Sequence, residues 1–497
     1  MKLEREAKLE VEPGFRMPEL TSPDGAIHGE RGATERFVTT YHDTDDLRLV
    51  RWGASLRYRT TEGWTVKLPR SVEGAMVVRE EHTFDGGPGR APAEATHLVD
   101  GLARGVAMRP VARLQTIRHR TLLRRGADDA PLAEVVDDEV SILEGRRTVD
   151  RFREVEVEIA DDADPSAMTA LVDLLTVAGA RIVDPLPKIV RALGERAVEE
   201  PDVVAATVDP TSTVAEVVRW AIGTSTRRLM QHDPVVRLGA DPEGVHQARV
   251  ATRRIRSDLR TFRSLLDPDW RGELRRELGW LGAVLGGVRD CDVLGERLRD
   301  DALLLPDDDA TNVTKVLDRL RARHDAARAE MLSAMREPRY LRLLDALVAA
   351  SAEPQLLDEA VGARAAEVVG VVMEAPWGHL KKLCDGLGPS SADAELHEAR
   401  IRAKRVRYAA EVLSPIFGKP ARTFARRAEA LQQVLGSHQD AVMAIAWLRE
   451  QAGGATPRVA FTAGRLAGIE STVREETRRA WPEVWADLRR KRLRFWE

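Results

Sequence analysis

The sequence predicts an α+β protein: an N-terminal β domain with flanking helices, followed by an all-α domain of two duplicated helical bundles. Three observations carry this. From residue 1 to about 160, short alternating runs are broken by Pro13-Gly14, Asp24-Gly25, Glu62-Gly63, Gly86-Gly87-Pro88 and Asp161-Asp162, which is how strands and turns are written. From about 211 onward the pattern is helical almost throughout, amphipathic and poor in β-branched runs. Between them VEEPDVVAATVDP (198–210), with two prolines, reads as a linker. The expected domains are therefore 1–197 and 211–497. A helix over 165–179 is also expected, with Pro165 at its first position.

Composition removes several function classes. With 43% hydrophobic and 31% charged residues the chain is globular, not disordered. Aromatics, at 5%, are too few for base-stacking platforms. Two cysteines, Cys291 and Cys384, exclude a disulfide scaffold or a cysteine-only metal site and agree with a reducing cytoplasm. The opening MKLEREAKLEVE is charged where a signal peptide is apolar, and no apolar run reaches the ~18 residues of a membrane span. A cytoplasmic protein, neither secreted nor membrane-spanning, is expected. The net charge is −4, yet arginines bunch at 249–260 and 400–407, which predicts specific anion sites.

The strands sort their charges. Residues two apart share a strand face, so Glu4, Glu6 and Lys8 oppose Leu3, Leu9 and Val11. Arg57 and Arg59 oppose Leu56 and Tyr58, Lys67 opposes Val66 and Leu68, and Arg118 and Arg120 oppose Ile117. Glu154, Glu156 and Glu158 oppose Val155, Val157 and Ile159, and Glu134 and Asp138 share a parity. One such strand is ordinary for a sheet with one wet face. A set in which some strands carry only carboxylates and others only bases is not. A closed sheet would bring them to one lumen, its apolar faces packing outward on helices. Clustered carboxylates then need a hard cation, Mg²⁺ or Mn²⁺, and the bases need a polyanion; together they suit a phosphate chain.

In their order, Glu4-x-Glu6-x-Lys8, YHDTDDLRLVRWGASLRYR (41–59), WTVKLP (64–69), AEVVDDEV, FREVEVEI and Lys188 in PLPKIVRAL resemble the CYTH domain of the triphosphate tunnel metalloenzymes, over about 1–195. The resemblance implies a closed antiparallel β tunnel barrel in which Glu4, Glu6, Glu154, Glu156 and Glu158 hold Mg²⁺ or Mn²⁺. It implies that Lys8, Arg57, Arg59, Lys67, Arg118, Arg120 and Lys188 grip the phosphates. Lys8, Glu134 and Asp138 are the implied catalytic set, the two acids orienting a water or second ion. Pro187 departs from the serine often found before that lysine, and Arg79, Glu80 and Glu81 fall on a further charged strand of unfixed register. Family members hydrolyse inorganic triphosphate, thiamine triphosphate or RNA 5′-triphosphates, or cyclise ATP.

The helical half is duplicated. HQARVATRRIR (246–256) matches HEARIRAKRVR (397–407) at an offset of 151, and VLGGVRD (284–290) matches VLGSHQD (434–440) at 150. His246, Arg249, Arg253, Arg256 and Arg260 fall on one helical arc, with Ile255, Leu259, Phe262 and Leu266 opposite. His397, Arg400, Lys404 and Arg407 repeat the stripe, backed by Val406, Ala410 and Leu413. Acidic i,i+4 partners look nearly absent, so the stripes are expected to meet an external anion. An ordinary imidazole charges below pH ~6.5, so the histidines predict tighter binding there. Missing helix-turn-helix or zinc-finger spacing and absent interleaved aromatics argue against nucleic acid.

The repeat resembles the CHAD domain over about 211–497, a family that binds inorganic polyphosphate and often follows a CYTH domain. Matching positions are His246, Arg249, Arg253, Arg254, Arg256, His397, Arg400, Lys404, Arg405 and Arg407, with Arg260 on the stripe and Arg289 and His438 in the later blocks. The resemblance implies two four-helix bundles, polyphosphate as partner and association with polyphosphate granules. Three functions stay open: a triphosphatase acting on triphosphate or short polyphosphate, a non-catalytic polyphosphate binder, and a nucleotide enzyme such as an adenylate cyclase or thiamine triphosphatase.

Overall fold

The computed structural model describes residues 2–22, 27–73, 76–126, 130–160, 162–182, 186–204, 206–388 and 390–497, without side chains at 2–5 and 70–79. Two compact units result, Met1–Asp202 and Val203–Glu497.

The first unit holds β1 (Lys2–Glu10), β2 (Ile27–Arg31), β3 (Glu35–Asp43), α1 (Arg48–Arg51), β4 (Ser55–Arg59), β5 (Gly63–Glu73), β6 (Met76–Phe84) and α2 (Ala93–Ala103). It continues with β7 (Arg109–Arg125), β8 (Ala130–Glu144), β9 (Arg147–Ile159), α3 (Ser166–Val177), β10 (Arg181–Ile182) and α4 (Lys188–Leu193). Antiparallel pairs run β1-β6-β5-β4-β3-β7-β8-β9, and β9 pairs again with β1. That first strand is shared: Lys2–Glu6 pair with β6 and Glu6–Glu10 with β9.

The strands' apolar parity packs against helices. Ala7, Leu9, Val11, Val135, Val155, Val157 and Ile159 form one buried cluster with Met168, Leu171, Val172 and Leu175 of α3. Each fully buried Leu, Val or Ile contributes roughly 1.5–3 kcal/mol, so this face fixes the register. A second cluster joins Tyr41, Leu114 and Val140 to Ile189 and Val190 of α4, which places Lys188 at the start of that helix.

The second unit, among the described residues, is helical: α5 (Val214–Leu238), α6 (Pro242–Thr261), α7 (Pro268–Ala302), α8 (Ala310–Ala334), α9 (Pro338–Ala352), α10 (Val369–Cys384), α11 (Asp393–Val412), α12 (Ser414–Phe417), α13 (Lys419–Ala452) and α14 (Pro457–Leu488). Local chemistry starts them. Thr213 and Glu216 form a capping box, and Asp241 and Asp267 cap helices that begin with proline. The repeat is visible as α6 with α11 and α7 with α13, and α6 packs on α11. Ile255, Leu259, Phe262, Val406, Ala410 and Leu413 are buried, while both cysteines are buried and free. No helix among the described residues is long and apolar enough to cross a membrane.

Candidate functional site

Eight strands of the first unit contribute side chains to one cavity of about 400 Å³. Among its described lining residues are seven bases (Lys8, Arg57, Arg59, Lys67, Arg118, Arg120, Lys188) and six carboxylates (Glu6, Glu62, Glu81, Glu134, Glu156, Glu158). Register explains the sorting. Glu6 sits opposite Glu158 and Glu158 opposite Glu134, so adjacent β1, β9 and β8 carry a row of carboxylates. The arginines and Lys67 come from β4, β5 and β7.

Two lysines hold the acidic side together. Lys188 Nζ lies 2.9 Å from Asp138, 2.7 Å from Glu154 and 2.8 Å from Glu156. Lys8 donates to Glu156 and lies 3.6 Å from Glu6. Arg118 donates twice to Asp138, at 2.9 and 2.7 Å. Burial opposes charge in Lys8, Lys188, Glu156 and Asp138, but their partners reverse its effect. Glu156 and Glu6 hold Lys8 above the ordinary lysine value, and Glu154, Glu156 and Asp138 hold Lys188 well above it. Lys188, with Lys8 and Arg118, holds Glu156 well below the usual carboxylate range; Lys188 and Arg118 do the same, less strongly, for Asp138.

Several expectations shift. Asp138, expected to orient a water or second ion, is wholly buried and committed to Arg118 and Lys188. Glu154 and Glu156, expected as metal ligands, are held by the two lysines. The Glu4 side chain lies outside the described residues. Two charged lining residues, Glu62 and Glu81, were not assigned from sequence. Glu81 sits 3.1 Å from both Arg57 and Lys67, and Glu62 pairs with Arg59. Glu62 was visible as an i,i+3 partner, whereas Glu81 needed the β5–β6 register that sets it opposite Lys67.

No three His, Cys, Asp or Glu side chains among the described residues gather into a metal cage. The residues nevertheless fit a hard dication. Glu6 and Glu158 offer oxygen-only donors, and Mg²⁺ needs one or two carboxylates, with water and substrate phosphate completing its shell. Seven bases against six carboxylates leave the cavity nearly neutral. A phosphate polyanion entering it is poorly balanced unless a dication accompanies it.

In the second unit a separate cavity of about 460 Å³ forms where the stripes meet. His246, Arg249, Arg253 and Arg289 line it with Arg400 and Lys404, joined by Arg297 and Arg323; Asp290 and Asp440 are its carboxylates. The repeated glycine explains the geometry. A β-carbon at Gly286 would stand 3.7 Å from Arg249 Nη2, and one at Gly436 would stand 3.3 Å from Arg400 Nε. Each glycine lets a guanidinium lie against the next helix. The repeated aspartates brace the same two arginines, Asp290 at 2.7 Å and Asp440 at 3.9 Å. Arg400 Nε is buried without a hydrogen-bond partner.

The other stripe residues go elsewhere. Arg254 and Arg407 both pair with Glu411, so the intrahelical acidic partner that seemed absent is present four residues after Arg407. Arg256, Arg260 and Arg405 do not line this cavity, and neither does half-buried His397. His438 is buried between Asp393 at 3.1 Å and the Arg474 carbonyl and Thr477 hydroxyl at 3.3 Å, where it joins three helices. The reason is geometric: a stripe longer than the crossing of α6 and α11 runs past it. Arg297 and Arg323, from α7 and α8, belong to neither repeat motif.

The pH response also moves. Burial and Arg289 lower the His246 imidazole, so it is not the group that charges near neutrality. Burial, Arg400, Arg253 and Arg249 bring the Lys404 ammonium down to about 7. An anion entering the cavity favours the charged amine, so binding takes up a proton and weakens as pH rises through about 7. Polyphosphate titrations between about pH 6 and about pH 8 should show this loss for the wild type and not for Lys404→Arg, whose charge is fixed. Equal losses in both would place the titrating group elsewhere.

An antiparallel sheet around a mixed acidic and basic cavity, followed by a duplicated helical unit with a basic one, defines a two-unit α+β class. Residues 2–188 match the CYTH domain and 221–449 the CHAD domain. The chain is 30% identical to the uncharacterized protein Rv2226 of Mycobacterium tuberculosis strain H37Rv, over 96% of this chain and 94% of that one. MT2285 from strain CDC 1551 matches equally. Among solved structures, the CHAD domain from the plant Ricinus communis shares 26% identity over 57% of this chain and 95% of that chain, with a TM-score of 0.48. A putative adenylate cyclase from Bacillus halodurans shares 16% over 39% and 100%, with a TM-score of 0.27. The chain belongs to the family in which a CYTH domain precedes a CHAD domain. These domains tie it to triphosphate- and polyphosphate-related function, and CYTH domains depend on a metal.

Proposed function

We propose that the first unit hydrolyses inorganic triphosphate or short-chain polyphosphate with Mg²⁺ or Mn²⁺, and that the second unit binds polyphosphate in the cytoplasm, including at polyphosphate granules. The observation that carries the hydrolytic reading is the row Glu6–Glu158–Glu134 facing the bases of β4, β5 and β7 across one cavity. Glu6 and Glu158 would hold the dication, which when bound offsets phosphate charge and lowers the pKa of an attacking water. Arg57, Arg59, Lys67 and Arg120 take the phosphate oxygens, exchanging their present carboxylate partners for the substrate's. Arg59 is prepared for this: it rests on the Phe37 ring at 4.5 Å, and its Nε is buried without a hydrogen-bond partner. Glu134, now 2.7 Å from Arg120 and released when that arginine turns to phosphate, would orient a water, while Asp138 stays with Arg118 and Lys188. Lys8 and Lys188 keep the acidic side charged and in place.

Tyr41 is the aromatic side chain among the described lining residues, which offers little to a nucleobase or thiazole ring. In a phosphate-release screen with Mg²⁺, inorganic triphosphate should therefore be turned over faster than thiamine triphosphate or ATP. Preference for either of those two would transfer the site to the nucleotide reading. Binding of all three without release would leave a phosphate-chain binder.

A further inference from the structure

The two copies of the helical repeat differ at one node between α6 and α11. On one side Glu411 accepts from Arg407 at 2.6 Å and also from Arg254 of the other copy. Tyr408 lies under both guanidiniums, at 5.4 and 5.1 Å, and Asp258 stands 3.4 Å from Arg254. This node is filled and neutralised. The offset of 151 maps Arg254 onto Arg405, Arg407 onto Arg256, Tyr408 onto Ser257 and Glu411 onto Arg260. The matched node thus keeps two arginines, gains a third in place of the carboxylate, and has a hydroxyl where the ring stood.

The structure shows the consequence. Where Tyr408 and Glu411 fill one side, the other has a cavity of about 290 Å³ lined by Arg260, Arg263, Arg405, Ser257, Ser264 and His379, together with the apolar Val371, Val372, Ala375 and Pro376 of α10; Arg256 does not line it. It shares no lining residue with the cavity of His246 and Lys404. The carboxylate that acts on both Arg260 and Arg405 is Glu398, which already accepts from Arg402 at 2.8 Å. Burial and the neighbouring guanidiniums pull both arginines below the ordinary arginine value. Like charges around one partly buried space repel unless an anion sits among them, and arginine forks with adjacent hydroxyls suit a tetrahedral oxyanion.

We propose that this cavity seats a phosphoryl oxyanion, whose oxygens take the place the Glu411 carboxylate holds in the matched node. The group is either free phosphate or pyrophosphate, or one unit of a longer phosphate chain. The inference does not require the polyphosphate reading of the other cavity.

Phenylglyoxal modification of the full chain, read by peptide mass analysis, tests it site by site with orthophosphate, pyrophosphate and long-chain polyphosphate as probes. Arg260 and Arg405 should react in phosphate-free buffer, while Arg254 and Arg407, held by Glu411, should not. A probe at about ten times its Kd should slow modification of Arg260 and Arg405 about ten-fold. Protection by orthophosphate or pyrophosphate assigns the free anion; protection by the long chain alone assigns the chain. Arg260→Glu should recreate the filled node and make Arg405 unreactive without any probe, whereas Arg260→Gln should leave it reactive and unprotected. Unchanged modification of Arg260 and Arg405 with all three probes would overturn the proposal. Protection of Arg249 and Arg400 reports separately on the other cavity.

Discussion

Glu6→Gln and Glu158→Gln are each expected to cut metal-dependent phosphate release by at least about a hundred-fold. The amide fills the same space but cannot neutralise a dication, and these two carboxylates stand directly opposite each other on β1 and β9. Folding should survive, because Lys8 keeps its closer partner, Glu156. Polyphosphate binding by the second unit should also survive. Initial rates with Mg²⁺, beside thermal melts of the same preparations, make the check. Near-wild-type turnover in both variants would remove the row from the mechanism.

Lys188→Ala should be the most destabilising change in the first unit. It strips the shared cation from Asp138, Glu154 and Glu156, of which the first two are almost wholly buried. Breaking one side of a buried pair costs about 3–5 kcal/mol, so melting should fall by on the order of 10 °C. The pH dependence has a definite sign. Asp138 and Glu156 have lowered folded values, so their contribution is present above the ordinary carboxylate pKa and lost as pH falls through the lowered one. Lys188 has a raised value, so its contribution is complete below the ordinary lysine pKa. The penalty of the variant should therefore be full from neutral pH down to about pH 4 and shrink only below that, as pH falls through the lowered carboxylate values. Calorimetry across that range decides it: a penalty independent of pH would mean lost packing of the lysine stem, not lost charge.

Strand parity was the most legible feature. Leu9, Val155 and Val157 opposite Glu6, Glu154 and Glu156 specify which face meets α3, and that needs no register. The identity of ion partners does need it. Glu81 reaches Lys67 only through the β5–β6 pairing, and Asp138 is paired with Arg118 and Lys188, which converge on it from β7 and α4. In the helices, spacing fixed the angle of each stripe but not what the neighbouring helix presents. Arg249 and Arg400 meet at a cavity, while Arg254 and Arg407 meet Glu411. That carboxylate was within reach of reading, four residues after Arg407. The glycine and aspartate of VLGGVRD and VLGSHQD were legible as a repeat, and the structure supplies their physical purpose at the two arginines.

The most direct measurement is phosphate release from inorganic triphosphate by the full chain with Mg²⁺, with Mn²⁺ and with EDTA, alongside Glu6→Gln. Release is expected with either dication, none with the chelator, and a collapse in the variant. Release unaffected by EDTA, or triphosphate that binds with Mg²⁺ and Mn²⁺ yet is never cleaved, would contradict a metal-dependent triphosphatase.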